Sequence, residues 1–450
     1  MADTAKRSEG LSAFTAIAFA VGTMVGAGVF VLSGLVIKTA GPAAILSYLI
    51  CGIVVSFSAL SYAALASIFP ENGGGYLFAR RMLGSYPGFL TGWAMYVGTL
   101  ITISFVLMGF GIYINLLLGM NLDPRLGAIA AVVLLTALNL RGLSEAGKFE
   151  VALVVTKISI LILLVIAGFI YIQKTDFVPF MPYGAGGTVK GITMVFFAYM
   201  GFQVVSMMGG EFKESSKTVP AATLVSIGIV AVIYIGVIIA LISVKLPSYD
   251  QKSVFYASVL LLGTFGSSLV AIAAMISTLS SANANIIGAS RIVLEMASEK
   301  QIPGRFTGLK NGQPADFIIF SSIIAILLII YGNLDFIVNL TNTVTLSAMF
   351  LVNLSAFRLV RRERLVPPEK SYFKIPLGTL FPALGAISCV LMIITSPPIT
   401  VILGFAALFL GSVLYVLGDT PKGHMAINEI RRLLKRPVSD YRALWFNKNQ

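Results

Sequence analysis

Residues 11–39 read LSAFTAIAFAVGTMVGAGVFVLSGLVIKT, with no acid and a single base, Lys38. An apolar run this long has the length of a membrane span. Gly22, Gly26 and Gly28 nevertheless stand within seven residues near its middle, and glycine lowers the cost of leaving helical geometry. The anomaly returns at 190–211, KGITMVFFAYMGFQVVSMMGGE, where Gly201 follows Phe197-Ala-Tyr-Met and Gly209-Gly210 come soon after. Irregular backbone at membrane depth survives only where it is buried in protein or lines a cavity. Two such stretches point to a site shared by two interrupted helices. Close packing of small residues between membrane helices is the plainer reading of either stretch alone.

Working outward, the 450 residues are 57% hydrophobic and only 11% charged, where a soluble protein carries about 25% charged residues. Twelve apolar segments follow one another: 11–39, 42–69, 86–119, 125–141, 149–172, 190–211, 219–244, 255–294, 315–331, 334–357, 375–395 and 398–418. Runs so long and continuously apolar are helices rather than the ~10-residue alternating strands of a barrel. The expected fold is an all-α polytopic membrane protein with 12 transmembrane helices. The interrupted spans open two five-span units, which implies a 5+5 inverted repeat followed by two extra helices. The chain then divides into an N-terminal segment 1–10, a first repeat 11–172, a second repeat 190–358, spans 375–418 and a basic tail 419–450.

The net charge of +13 is a matter of topology rather than of nucleic acid. With a cytoplasmic N-terminus, the inner connections and the tail hold 25 of the 32 Lys and Arg, the outer connections hold six, and Lys157 alone lies within a span. Such asymmetry places both termini in the cytoplasm. The N-terminal apolar stretch outlasts the ~7–15-residue core of a secretory signal and is taken as a retained span. In 424–436, Ile427, Ile430, Leu433 and Leu434 alternate with Arg431, Arg432, Lys435 and Arg436, which suits either a helix on the anionic inner leaflet or a solvated tail. Cys51 and Cys389 lie in apolar runs and His424 is the sole histidine. No disulfide framework, metal site or cofactor is expected from them.

A helix break frees amide N–H groups at one new end and carbonyls at the other. The amides suit a carboxylate and the carbonyls suit an ammonium. Two broken helices can therefore hold a zwitterionic α-amino acid without a charged side chain. No acid stands at mid-depth in any span, which favours a neutral substrate. With neither a catalytic constellation nor a filter motif, enzyme and channel are both disfavoured.

At these residues the sequence resembles the amino acid–polyamine–organocation (APC) permease superfamily, which shares the fold of the bacterial leucine transporter. The string Gly22-Thr-Met-Val-Gly-Ala-Gly-Val-Phe30 matches the family pattern Gly-x-x-Ile-Gly-x-Gly-Ile-Phe. GPAAILSYLICGIVVSFSALSYAALASIFPENGGGYLFARRMLG from 41, GFLTGWAM from 88, FFAYMGFQVVSMMGGEF from 196 and LSSANANIIGASRIVLEMASEKQIP from 279 extend the likeness over roughly residues 10–310. The resemblance implies an amino acid permease of the cell membrane, a monomer or homodimer working by alternating access. It implies that amides of Gly26, Ala27 and Gly28 bind the substrate carboxylate. Carbonyls of Met24, Phe197, Ala198 and Met200 would hold the ammonium, with Phe197 as an aromatic gate and Ala27, Ala198 and Gly201 leaving room for a side chain. A proton-coupled symporter is the first expectation. An exchanger, a cationic amino acid or polyamine permease, and a nutrient sensor on a transporter fold are the alternatives.

Several positions depart from the family pattern. Gln203 stands where many relatives carry a carboxylate, and Ala64 replaces a common acid of span two. Lys213-Glu214-Ser215 replaces Lys-Asn-Pro, and Pro220-Ala221-Ala222 replaces Pro-Arg-Ala. Lys157 lies about 12 Å into span five at 1.5 Å per residue, and an intramembrane cation is costly enough to mark a functional candidate. The resemblance implies that this lysine takes the place of sodium, with the Gly22 region, Ser280 and Ser281 as neighbours, and serves as a protonation switch. Snorkelling to the headgroups is the alternative.

Overall fold

The computed structural model describes residues 10–141, 146–173, 177–302, 314–362 and 372–418. The N-terminal nine residues and the basic tail with its amphipathic 424–436 stretch lie outside the described residues.

Fifteen α-helices make up the described chain. The first interrupted span is α1 (Ala13–Met24), a π-helical turn Gly28–Leu32 and α2 (Ser33–Ala40). Gly41 at φ 66° turns the chain into α3 (Ala44–Ile68). The short α4 (Gly75–Leu83) leads to α5 (Ser85–Leu118), α6 (Pro124–Leu140) and α7 (Ala146–Ile170). The second interrupted span is α8 (Gly184–Tyr199) with α9 (Phe202–Met207). After it come α10 (Ser215–Ser243), α11 (Ser253–Ser298), α12 (Ala315–Tyr331), α13 (Leu334–Arg361), α14 (Leu380–Thr395) and α15 (Pro398–Gly418).

Among the described residues, eight helical stretches have the length and hydropathy to cross a membrane, and α6, α12 and α14 are shorter apolar helices. The segment read as one span at 255–294 is two helical pieces, because Gly263 adopts φ 69°, ψ −172° inside α11. The stretch 375–379 is irregular chain and turn rather than helix.

Helices α1, α3, α5, α8, α10, α11 and α13 supply most of the buried core. The outer helices expose large apolar side chains, among them Ile166 on α7, Ile323 on α12, Ile394 on α14 and Phe409 on α15, the last 70% exposed. A surface so apolar suits lipid and not water. One end of the bundle is tied by polar contacts. Arg291 pairs with Glu211 at 2.7 Å, and Arg80 of α4 pairs with Glu299 at the end of α11. The backbone of Leu11 exchanges hydrogen bonds with Glu211 and Lys213, and Gly73 N–H donates to Met207 at 3.0 Å.

Candidate functional site

α1 ends at Met24, where Val25 leaves the helix at φ −77°, ψ 62°. A helix C-terminus leaves its last carbonyls without intrahelical partners. Here four consecutive carbonyls are taken up by side chains from three other helices. Lys157 Nζ donates to Gly22 O at 2.7 Å, Ser281 Oγ to Thr23 O at 3.0 Å, and Tyr234 Oη to Met24 O at 2.6 Å. Ser277 Oγ donates to Val25 O. The Gly26 N–H also turns back to Met24 O at 2.8 Å. Both lone pairs of the Met24 carbonyl and the Gly26 amide are therefore engaged in this conformation. The π-helical turn begins at Gly28, so the N–H groups of Ala27 and Gly28 open a new helical segment.

The second break is sharper. Met200 is extended at φ −66°, ψ 140°, and Gly201 stands at φ 134°, which side chains rarely adopt. The two breaks touch. A Cβ on Gly201 would lie 2.7 Å from Met24 N, and one on Gly28 would lie 2.8 Å from Ala198 Cα. Tyr234 ties them further, since its hydroxyl meets Ala198 O at 2.9 Å as well as Met24 O. Replacing Tyr234 with phenylalanine removes the one hydroxyl donor shared between these two buried carbonyls and is expected to cost about 1–3 kcal/mol. The check is the thermal midpoint of the purified protein, and an unchanged midpoint contradicts this bridging role.

A narrow cavity lies against both breaks, with about 20 Å³ of free volume in this conformation, about the room a single water needs. Of the residues singled out in the sequence, Met24, Gly26, Ala27, Gly28, Phe197, Met200, Gly201 and Ser281 line it. Ala198 packs behind the wall against Gly28. The Phe197 ring is held edge-on by Phe105, centroids 4.5 Å apart. Sequence reading missed Tyr62, Thr99, Thr102, Asn285 and Thr345, which also line the cavity, and it weighed Gln203 only for the charge it lacks. Among the described residues, none lining the cavity is charged.

Gly22, Lys157 and Ser280 form a separate cluster beside the cavity. Lys157 is fully buried on α7, and its Nζ also meets Ser280 Oγ at 3.3 Å. The side chain points into the bundle rather than along the membrane surface. A cation at the last turn of α1 also suits the negative end of that helix dipole.

Comparison with known proteins meets this geometry from another direction. The sequence model described as "Amino acid permease" matches residues 11–417. The chain belongs to that family. Among the permease's relatives are a methylthioribose transporter of Bacillus subtilis, 28% identical over 90% of this chain and 92% of its own. The branched-chain amino acid permease BcaP of the same organism is 27% identical over 93% of this chain and 94% of its own. Cationic amino acid transporter 5 of Arabidopsis thaliana is 28% identical over 76% of this chain and 63% of its own. The permease is thus a multi-pass membrane transport protein, helical throughout its described spans. Its relatives are named for methylthioribose, branched-chain amino acids and cationic amino acids.

Proposed function

We propose that this permease is a secondary active transporter that carries a neutral amino acid across the cell membrane by alternating access. The observation that carries the reading is the meeting of two helix breaks beside one uncharged cavity. The amides of Ala27 and Gly28 bind the substrate carboxylate. The ammonium rests on carbonyls at the end of α8, those of Phe197, Ala198 and Met200. The Met24 and Ala198 carbonyls, both met by the Tyr234 hydroxyl, are the weaker candidates. Phe197 covers the bound substrate. No enzymatic step is part of this cycle.

In the same reading the chain has twelve spans, with 11–172 and 190–358 as inverted repeats, 375–418 as appended helices and both termini cytoplasmic. The asymmetric distribution of basic residues supports the orientation. Lys157 donates to the unwound end of α1, and gain and loss of its proton couple the cycle without sodium. The cavity's lack of an acid speaks against a cationic substrate, although some relatives are named for one.

Purified protein in liposomes is expected to take up labelled neutral amino acids equally with and without sodium, and faster when an inward proton gradient is imposed. Strict sodium dependence defeats the coupling scheme. Counterflow separates the remaining alternatives: an exchanger moves label only against internal substrate, and a sensor binds without exchanging label.

A further inference from the structure

Holding an amino acid by its backbone leaves unused four polar side chains that reach the cavity from four helices. Tyr62 of α3, Gln203 of α9, Asn285 of α11 and Thr345 of α13 all line it, and each is at least nine-tenths buried. Their orientations follow from their other contacts. Gln203 Oε1 accepts the Gly201 N–H at 3.0 Å, which leaves the amide NH2 for the cavity. Asn285 Nδ2 donates to Ser281 O at 2.8 Å, which leaves Oδ1. Thr345 Oγ1 stands over Gly98, 2.6 Å from where a Cβ would be. The Tyr62 ring is gripped edge-on by Phe78 and Phe202, and its hydroxyl has no hydrogen bond among the described residues. Thr23, Thr99 and Thr102 differ, because their hydroxyls donate to Phe19, Met95 and Gly98 carbonyls of their own helices.

We propose that Tyr62, Gln203, Asn285 and Thr345 read the substrate side chain, and that the preferred substrates are amino acids with a hydroxyl or carboxamide there. The inference rests on the backbone-binding reading above and adds the substrate class. An aliphatic side chain would face these groups without satisfying them, and each buried group left unpaired costs about 1–3 kcal/mol. A hydroxyl or carboxamide both donates and accepts, so it satisfies the Gln203 NH2 and Asn285 Oδ1 together. Met24, Met95, Met200 and Met207 share the apolar part of the lining with Ala27, Val106 and Phe197. Methionine adapts to irregular shapes, so the cavity tolerates a range of side-chain lengths while demanding polarity. The selectivity differs from that in the name of the branched-chain relatives.

The test is competition for binding to the full-length purified protein by near-isosteric pairs, threonine against valine and asparagine against leucine, with alanine as the backbone-only control. The polar member is expected to bind about tenfold tighter, since one satisfied buried hydrogen bond is worth roughly one decade. In Gln203→Leu and Asn285→Leu variants that ratio is expected to fall toward unity, with valine and leucine gaining. The more conservative Tyr62→Phe and Thr345→Val changes serve where those variants do not fold. Equal or reversed affinity within the wild-type pairs overturns this inference alone when alanine still binds. Failure of alanine and of every pair member overturns the backbone-binding reading as well.

Discussion

Lys157→Ala is expected to reduce proton-driven uptake by ~100-fold or more, the scale of loss that a misplacement of about 1 Å at a reacting site can bring. The lysine is fully buried and donates to the Gly22 carbonyl at 2.7 Å and to Ser280 at 3.3 Å. Its removal does two things at once. It opens a void in a packed interior, which costs about 2–5 kcal/mol for a large-to-alanine change. It also strips a donor from the turn of α1 that leads into the break, so the amides of Ala27 and Gly28 lose their fixed position. Lys157→Met separates these effects, because it keeps most of the volume and removes only the charge and donors. If Lys157→Met folds with a near-normal thermal midpoint yet has lost the response of uptake to an imposed pH gradient, the proton role stands. Unchanged pH-dependent uptake in that variant rejects it.

Both helix interruptions were legible in the sequence because glycine clusters are rare signals against a continuous apolar background. Gly22, Gly26 and Gly28 announce one, and Gly201 with Gly209 and Gly210 the other. What those glycines do was less legible. Gly201 carries the strained φ of 134°, whereas Gly28 is needed because Ala198 backs onto it. The bend at Gly263 was invisible, since Gly263 and Gly266 in VLLLGTFGSSL do not lower hydropathy enough to divide a segment. Tyr234 was missed for a different reason. In VIYIGV a tyrosine can face lipid, core or site, and only tertiary packing brings its hydroxyl to two carbonyls at once. The polar cavity wall is assembled from four helices, so no local pattern encodes it. A signal did exist in Gln203 and Asn285, carboxamides in otherwise apolar spans, because buried polar groups there are costly and tend to be functional.

Gly201→Ala is expected to be the most damaging methyl addition at the two breaks, with uptake lost and the thermal midpoint lowered. Two penalties combine at this position. The backbone sits at φ 134°, which costs a residue with a side chain about 1–3 kcal/mol. The added carbon would also lie 2.7 Å from Met24 N and 2.9 Å from Thr23 C, both backbone atoms of the opposite break. Neither can rotate aside, so one break must move relative to the other and the cavity between them changes shape. Gly28→Ala meets only the second kind of penalty, a contact 2.8 Å from Ala198 Cα, and overpacking of that sort costs about 1–3 kcal/mol. It is expected to be the milder of the two. Gly228→Ala supplies the control, since it lies in α10 with nothing within 4 Å of the added carbon. There alanine is expected to stabilise by about 0.5–1 kcal/mol through helix propensity, with uptake unchanged. The order in uptake should run Gly228→Ala above Gly28→Ala above Gly201→Ala. If Gly201→Ala transported as well as Gly228→Ala, the touching of the two breaks would be incidental to transport, and the site would have to lie elsewhere in the bundle.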